Sequence, residues 1–522
     1  MGLRIGGEIE KENGDELSYS DFVERYLMKN RPVVLRGLMD GWRACKDWVT
    51  HTGQPNLEFF STHFGKSIVQ VADCGTREFT DQKRMEMSVA EFIDHWLKDS
   101  ANYHVNATTN EHGKPLVYLK DWHFVKEYPE YLAYTTPLFF RDDWLNLYLD
   151  NYSMHNEPDA CQEKNEISCS DYRFVYMGAK GTWTPLHADV FRSYSWSANV
   201  CGKKKWLFLP PSQSHLVFDR NMKSSVYNIC EDVNEAKFPG FKKAVWLECI
   251  QEQDEIIFVP SGWYHQVHNL IPPSAPQQHH HPLGHSWHKT YWPVRFVGME
   301  DTISINHNWF NAYNLSWVWD LLLKDYNEAK EYIEDVRDIC DDFEGLCQRN
   351  LAANTGMNFC DFFIFIACFS FANLVQLYHL HRVNENPSWC LFPKAQHLAL
   401  NLLSAQKIVL KMKTVDALAG DHALLLDLRK MMDDSKFLEL CSGLDRTYRG
   451  IHKEQQQNYD KKETLMDGLG DLDFIVKSCS QIYAPEDLVS FIDSAVKKLS
   501  RAFNRESPLL PELDELRSPD AQ

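Results

Sequence analysis

The stretch Gly181-Thr-Trp-Thr-Pro-Leu-His187-Ala-Asp189, with Gly202-Lys-Lys-Lys-Trp-Leu-Phe-Leu-Pro-Pro211 close behind it, decides how the rest of the chain is read. Side chains alternate across an extended segment, so a His and an Asp two residues apart point the same way. An imidazole and a carboxylate are thereby aimed at one point. A third donor must come from elsewhere, and Gly262-Trp-Tyr-His265-Gln-Val-His268 offers one. Two His and one carboxylate with open positions make the donor set of a non-haem ferrous site. By itself His-x-Asp is a weak signal, because about one should arise by chance among 22 His. The lysine-bearing strand after it and the second apolar strand around His265 are what raise it.

Bulk composition narrows the classes. At 522 residues the chain buries a large core and holds more than one structural region. Its 44% hydrophobic and 24% charged residues are those of a soluble globular protein. A net charge of −19 keeps such a chain soluble and repels nucleic-acid phosphates, so direct nucleic-acid binding is set aside. The same charge tolerates or attracts a basic protein substrate. The 14 Cys form no Cys-x-x-Cys pair, which excludes a zinc module or a thioredoxin-like site. Met1-Gly-Leu-Arg-Ile-Gly6 lacks the apolar run of a signal peptide, and Gly6 stands where a myristoylation site has Ser or Thr. The thiols are therefore read as reduced and the location as cytoplasmic, with the nucleus second. Residues 362–381 contain no Asp, Glu, Lys or Arg, yet carry Asn373, Gln376, Tyr378, His379 and His381, which are costly in hydrocarbon. They read as a buried helix, with no membrane span.

Five regions follow from the pattern. Residues 1–16 are polar and contain glycine, and read as a mobile tail. Residues 17–165 mix α and β and pack on the core. They hold a short helix at 21–28, strands at 31–37, 67–72 and 115–122, and a helix at 88–98 that opens on a Ser88/Glu91 capping box. Residues 166–310 carry short strands at 172–177, 187–190, 194–201, 203–209, 244–248, 255–259, 263–269 and 302–308. Gly and Pro punctuate them at close intervals, the signature of a double-sheet jelly roll or barrel. Residues 311–503 turn helical, with apolar spacing over 315–336, 357–381, 394–412, 424–432 and 485–503. Residues 504–522 are rich in Pro and Glu and read as disordered.

Tyr172-Arg-Phe-Val-Tyr176 through Pro211, Phe258-Val-Pro-Ser-Gly-Trp-Tyr-His265 and Asp301-Thr-Ile-Ser-Ile-Asn-His-Asn308 resemble the JmjC family of Fe(II)- and 2-oxoglutarate-dependent oxygenases over about residues 115–315. The resemblance implies a mainly β fold, a double-stranded β-helix of the jelly-roll or cupin kind with flanking helices. It implies Fe(II) held by His187, Asp189 and His265, with 2-oxoglutarate and O2 as co-substrates. His265 and His268 lie three apart, face opposite ways on a strand, and only one can enter the barrel. Another His-x-acid, His155-Asn-Glu157, sits in an acidic interval without a partner motif and is set aside.

Alternation places Lys204, Trp206 and Phe208 on one face of their strand. A cation on the aromatic, inward side of a barrel needs a counter-charge, and the family role supplies the distal carboxylate of 2-oxoglutarate. Thr184, three before His187, matches a family position that hydrogen-bonds the same carboxylate. Asn306 stands at a last-strand position where some relatives use Thr. Ser195, Ser197 and Asn199 share one face, and Ser197 or Ser195 stands where relatives often have an Asn near the co-substrate. Trp183, Trp196, Trp206 and Trp263 read as candidate walls of the site.

Residues 271–299 depart from the family pattern, in which the strand of the third His runs almost directly into the last one. This Pro- and His-rich stretch reads as a spliced-in or extraneous segment extruded from the barrel, in preference to a substrate lid or an auxiliary metal site. It brings barrel closure and activity into question. The closest resemblance implies lysyl hydroxylation of the eukaryotic translation termination (release) factor. The alternatives are N-methyl-lysine demethylation and an inactive form serving as a binding scaffold. The helical region reads as a surface for self-association or as a substrate platform.

Overall fold

Two sheets packed face to face hold the middle of the chain. The computed structural model describes residues 3–105, 116–154, 169–231, 233–269, 301–383, 389–415, 426–452 and 481–502. In chain order the strands are β1 (Arg4–Glu8), β2 (Lys11–Asn13), β3 (Val33–Arg36), β4 (Ile68–Glu78), β5 (Asp81–Ser88), β6 (Val117–Trp122) and β7 (Arg173–Gly178). They continue with β8 (Trp183–His187), β9 (Tyr194–Cys201), β10 (Lys204–Leu209), β11 (Val245–Gln251), β12 (Ile256–Val259), β13 (Tyr264–Asn269) and β14 (Thr302–Trp309). One sheet has the order β1-β11-β10-β13-β8, the other β2-β3-β12-β9-β14-β7-β6-β4-β5. This is the jelly-roll arrangement expected.

Strand alternation sorts the core into layers. Trp206, Phe208, Ile257, Val259 and Val267 meet between the sheets. Trp196, Ala198, Val200, Ile303, Ile305 and Trp309 leave the large sheet on its other face, where they bury the helices and strands of the N-terminal region. Leu186, Leu207 and Leu209 cover the back of the small sheet.

The N-terminus corrects the reading of residues 1–16 as a mobile tail. β1 pairs in parallel with β11, and β2 in parallel with β3, so the chain start contributes one strand to each sheet. Nothing in Arg4-Ile-Gly-Gly-Glu8 alternates, because backbone pairing rather than a buried stripe holds it. Gly6 is required there, since a Cβ would lie 2.5 Å from Val245 Cγ1. The strand expected at 187–190 is also displaced: β8 ends at His187, and residues 190–192 form a tight turn. β5 does not stand out in the sequence because Asp81-Gln-Lys-Arg-Met-Glu-Met-Ser88 is a charged sheet edge in which Met85 and Met87 alone pack on the core. The Ser88/Glu91 capping box forms, with Ser88 N donating to Glu91 Oε2 at 2.8 Å and Glu91 N to Ser88 Oγ at 3.2 Å.

The helical region contains Leu315–Tyr332, Phe343–Thr355, Phe359–Val383, Pro393–Met412, Ser435–His452 and Pro485–Ala502. Its central helix is long and apolar enough to cross a membrane by length and composition, yet 83% of its most apolar window is buried inside the protein. The helices Phe343–Thr355 and Ser435–His452 have no counterpart in the sequence reading. The core of this region extends into the barrel through Tyr172, Phe174, Phe191 and Phe310. His155-Asn-Glu157, residues 271–299 and residues 504–522 lie outside the described residues. The strands on either side of 271–299 are both formed: β13 pairs with β10 and β8, and β14 with β9 and β7.

Candidate active site

His187 at the end of β8, Asp189 just beyond it and His265 on β13 converge, with one ligand atom from each lying within 4.8 Å of the others. The backbone explains the convergence. His187 and His265 are directly paired across the β8–β13 ladder, which sets their rings 4.3 Å apart, and Asp189 is extended (φ −61°, ψ 152°). Each ring is oriented from behind by a backbone carbonyl two residues earlier. His187 Nδ1–H donates to Pro185 O at 2.8 Å, and His265 Nδ1–H to Trp263 O at 3.1 Å. A carbonyl only accepts, so Nδ1 carries the proton and Nε2 keeps its lone pair for a metal. Burial, with His187 alongside, lowers the pKa of His265 to about 4, so its imidazole stays neutral. Three donors of this kind fit a ferrous ion and leave coordination positions open.

The carboxylate is held as firmly. Ser195 Oγ donates to Asp189 Oδ2 at 2.6 Å from the inner face of β9. Of the two serines, Ser197 Oγ is buried without a partner, while Ser195 meets the acidic ligand. Loss of such a partner typically costs a factor of ten to a hundred in metal affinity. We expect Ser195→Ala to weaken Fe(II) binding by about ten- to a hundredfold, checked by equilibrium titration under anaerobic conditions.

Both ligand-bearing loops are pinned to the helical region. Phe191 (φ 56°) and Arg192 (φ 48°) follow Asp189 in the left-handed region, a strained conformation for such residues. The buried Phe191 ring holds it in place, 5.4 Å from that of Tyr172 and 5.8 Å from that of Phe310. Ahead of His265, Ser261 Oγ accepts from Asn314 Nδ2 at 3.0 Å, while Asn30 Nδ2 donates to Ser261 O at 2.9 Å. Gly262 (φ 72°) lies against Trp317, where a Cβ would sit 2.9 Å from the ring.

The interior beyond the triad is polar and includes a buried cation. Lys204 is 2% exposed, and its Nζ donates to Ser304 Oγ at 2.6 Å and Tyr118 OH at 3.4 Å. Its neighbours in the triple-lysine run point outward, Lys203 to Glu252 and Lys205 to Glu248, each at 3.0 Å. Burial lowers the Lys204 pKa to about 7. Around it Ser197 Oγ, Asn269 Oδ1 and Thr302 Oγ1 are buried without a hydrogen-bond partner in the protein. Asn269 is directly opposite Lys204 on β13, and Ser197 directly opposite Asn306 on β14. Asn306 Nδ2 in turn donates to Ser304 Oγ at 3.1 Å. A buried ammonium with only hydroxyl partners, ringed by unpaired polar atoms, fits the distal carboxylate of 2-oxoglutarate.

Thr184 reaches this interior through an irregularity. The β8–β13 register pairs His265 with His187 but Val267 with Thr184, so two steps on β13 face three on β8. The extra residue resets the alternation, and Thr184 shares the face of His187 despite standing three before it. Trp183 is correspondingly sent outside, where it stacks on His268 with ring centroids 5.7 Å apart. Two of the four candidate wall tryptophans are thus corrected. Trp183 lies on the outer face, and Trp196 stacks on Phe140 behind the large sheet. Trp206 and Trp263 do line the interior, Trp206 5.5 Å from the His265 ring. Sequence reasoning passed over Tyr118 and Ser304. Alternation points to Ser304, which stands two before Asn306, whereas Tyr118 meets Lys204 from another strand.

Comparisons with known proteins agree with this geometry. The Cupin-like domain family matches residues 19–314. An Arabidopsis thaliana protein named arginine-specific demethylase JMJ20 is 56% identical over 494 residues, covering 94% of this chain and 97% of its own length. The 2-oxoglutarate and iron-dependent oxygenase JMJD4 of Danio rerio is 38% identical over 355 residues, 67% of this chain and 72% of its own. Its Homo sapiens counterpart is 34% identical over 358 residues, with the same coverage of 67% and 72%. With its two-histidine, one-carboxylate triad set in a cupin-like barrel, the chain belongs to the JmjC family of 2-oxoglutarate- and iron-dependent oxygenases.

Proposed function

We propose that this oxygenase hydroxylates a lysyl side chain of a protein, with the translation termination (release) factor as its substrate. The observation that carries the oxygenase reading is the convergence of His187, Asp189 and His265 beside the buried, counter-charge-seeking Lys204. When bound, Fe(II) with 2-oxoglutarate and O2 supplies the oxidising power that breaks a C–H bond, with succinate and CO2 as co-products. The residues do the positioning. Lys204, Tyr118, Ser304 and Thr184 receive the distal carboxylate, Ser197 and Asn306 line the path towards the metal, and Ser195 fixes Asp189. Similarity to proteins named 2-oxoglutarate and iron-dependent oxygenase supports the oxygenase chemistry, and the net charge of −19 suits a basic protein surface.

A second reading has its own support: the relative at 56% identity is named an arginine-specific demethylase. Removal of an N-methyl group starts from the same C–H oxidation, so the site chemistry serves either outcome. The name turns the demethylase alternative from methyl-lysine towards methyl-arginine. Intact-mass analysis after incubation with Fe(II), 2-oxoglutarate and O2 separates the two. Gain of one oxygen on a release-factor lysine supports hydroxylation, and loss of a methyl from a methyl-arginine peptide supports demethylation. Succinate formation that no protein or peptide stimulates would overturn the protein-substrate reading. Absence of iron and of turnover would instead leave the scaffold.

A further inference from the structure

The turn of the β4–β5 hairpin and the helix Leu315–Tyr332 frame a cleft beside the candidate active site. The cleft encloses about 510 Å3 between them and the helix Phe343–Thr355, and its lining includes Thr80, Asp325, Glu328, Tyr332, Asn350 and Asn354. Two independent features mark it. The first is aromatic: Tyr332 in the lining is 87% exposed, and Phe79, next to Thr80 at the hairpin turn, is 90% exposed. An exposed ring in the lining, with a second exposed aromatic one residue from that lining, is what a binding surface presents. The second is the carboxylate of Asp325. It is half-buried, and among the described residues it has no hydrogen bond or ion pair, because the adjacent Lys324 is drawn to Glu328 at 3.1 Å. Burial raises its pKa, Lys324 pulls the other way, Glu328 adds to the rise and Arg192 opposes it.

The cleft adjoins the metal loops. Arg192 lies three residues beyond Asp189, in the turn against which the helix Leu315–Tyr332 packs, and its charge reaches Asp325. An occupant of the cleft would therefore lie beside the turn that follows Asp189. Charge complementarity selects that occupant: a partly buried carboxylate without a counter-ion is completed by a cation, and an exposed tyrosine ring accepts the stem or face of the same group. We propose that this cleft receives a basic residue of the substrate polypeptide, flanking the modified one, with Asp325 as its counter-charge. The proposal rests on the reading that the site acts on a protein.

Fluorescence anisotropy with a labelled hexalysine peptide tests it without depending on turnover. Full-length Asp325→Lys should bind the peptide about tenfold more weakly than the unaltered protein. Asp325→Asn, close in shape and a safeguard against misfolding, should show a smaller loss in the same direction. Glu58→Lys, an equal change of net charge on an exposed position of the N-terminal helix Leu57–Phe64, should leave binding unchanged. Equal weakening by Asp325→Lys and Glu58→Lys, or none from either, would overturn the proposal. In turnover, Asp325→Lys should raise KM for a basic protein substrate and leave kcat and Fe(II) affinity unchanged. An unaltered protein that no basic protein stimulates would count against the proposed function, whereas a stimulated protein with KM indifferent to Asp325 would count against the cleft.

Discussion

Asp189→Ala should abolish 2-oxoglutarate turnover and iron retention together while leaving the melting temperature close to that of the unaltered protein. Asp189 is half-buried and lies past the end of β8, so its loss removes no ladder hydrogen bond and opens no apolar cavity. What it removes is the only carboxylate of the triad. Two imidazoles remain, a set that binds Fe(II) far more weakly and no longer imposes one face for the co-substrates. Changing a residue that merely orients a ligand already costs ten- to a hundredfold, so loss of the ligand should exceed about a hundredfold in both affinity and rate. His265→Ala would be less informative, because His265 is 3% exposed and packs against Trp206 and Phe208. Its removal confounds metal loss with a core defect. Iron content and succinate release on the same samples provide the check.

Lys204→Met should spare iron and lose 2-oxoglutarate. Removing one partner of a buried charge pair costs about 2–5 kcal/mol, roughly thirtyfold to several thousandfold in the KM for 2-oxoglutarate. A second consequence appears without co-substrate. Burial lowers the pKa of Lys204 to about 7 from an ordinary 10.5. Between those values the unfolded chain holds a proton that the folded one has released, so folding stability should rise with pH across that window. Below it the folded protein bears the buried charge and the contribution stays at its lowest. Lys204→Met should flatten the rise, and saturating 2-oxoglutarate should flatten it in the unaltered protein by holding the ammonium charged. Denaturant titrations from pH 6.5 to 10 measure both; an identical slope in Lys204→Met would mean that Lys204 is not the group responsible.

What could be read from the chain alone follows the physics of each feature. Most barrel strands are legible because an apolar face meets a Gly or Pro stop, and β9 (Tyr194–Cys201) agrees residue for residue, whereas β8 (Trp183–His187) precedes the strand expected at 187–190. The metal ligands were legible because two of them share one extended segment, and the inward turn of Lys204 followed from alternation. The first strand was invisible because its partner, not its own pattern, orders it. β5 was invisible because protected edges are charged. The helix Ser435–His452 was passed over although Phe437, Leu440, Leu444, Tyr448 and Ile451 recur at helical spacing. Thr184 shows the limit of alternation. Simple counting sends it away from His187, and only the register shift against β13 turns it inward. The roles of Ser195 and Tyr118 required three-dimensional contacts, since Ser195 meets Asp189 from another strand and Tyr118 meets Lys204 from the opposite sheet.

The most direct measurement is anaerobic titration of the purified full-length protein with Fe(II) in the presence of 2-oxoglutarate, followed by visible absorption. A co-substrate chelated to ferrous iron in a two-histidine, one-carboxylate site gives a charge-transfer band that neither component gives alone. The band should grow to saturation with a single equivalent of iron. It should disappear in Asp189→Ala and require far more 2-oxoglutarate in Lys204→Met. No band and no retained iron in the folded, unaltered protein would contradict it.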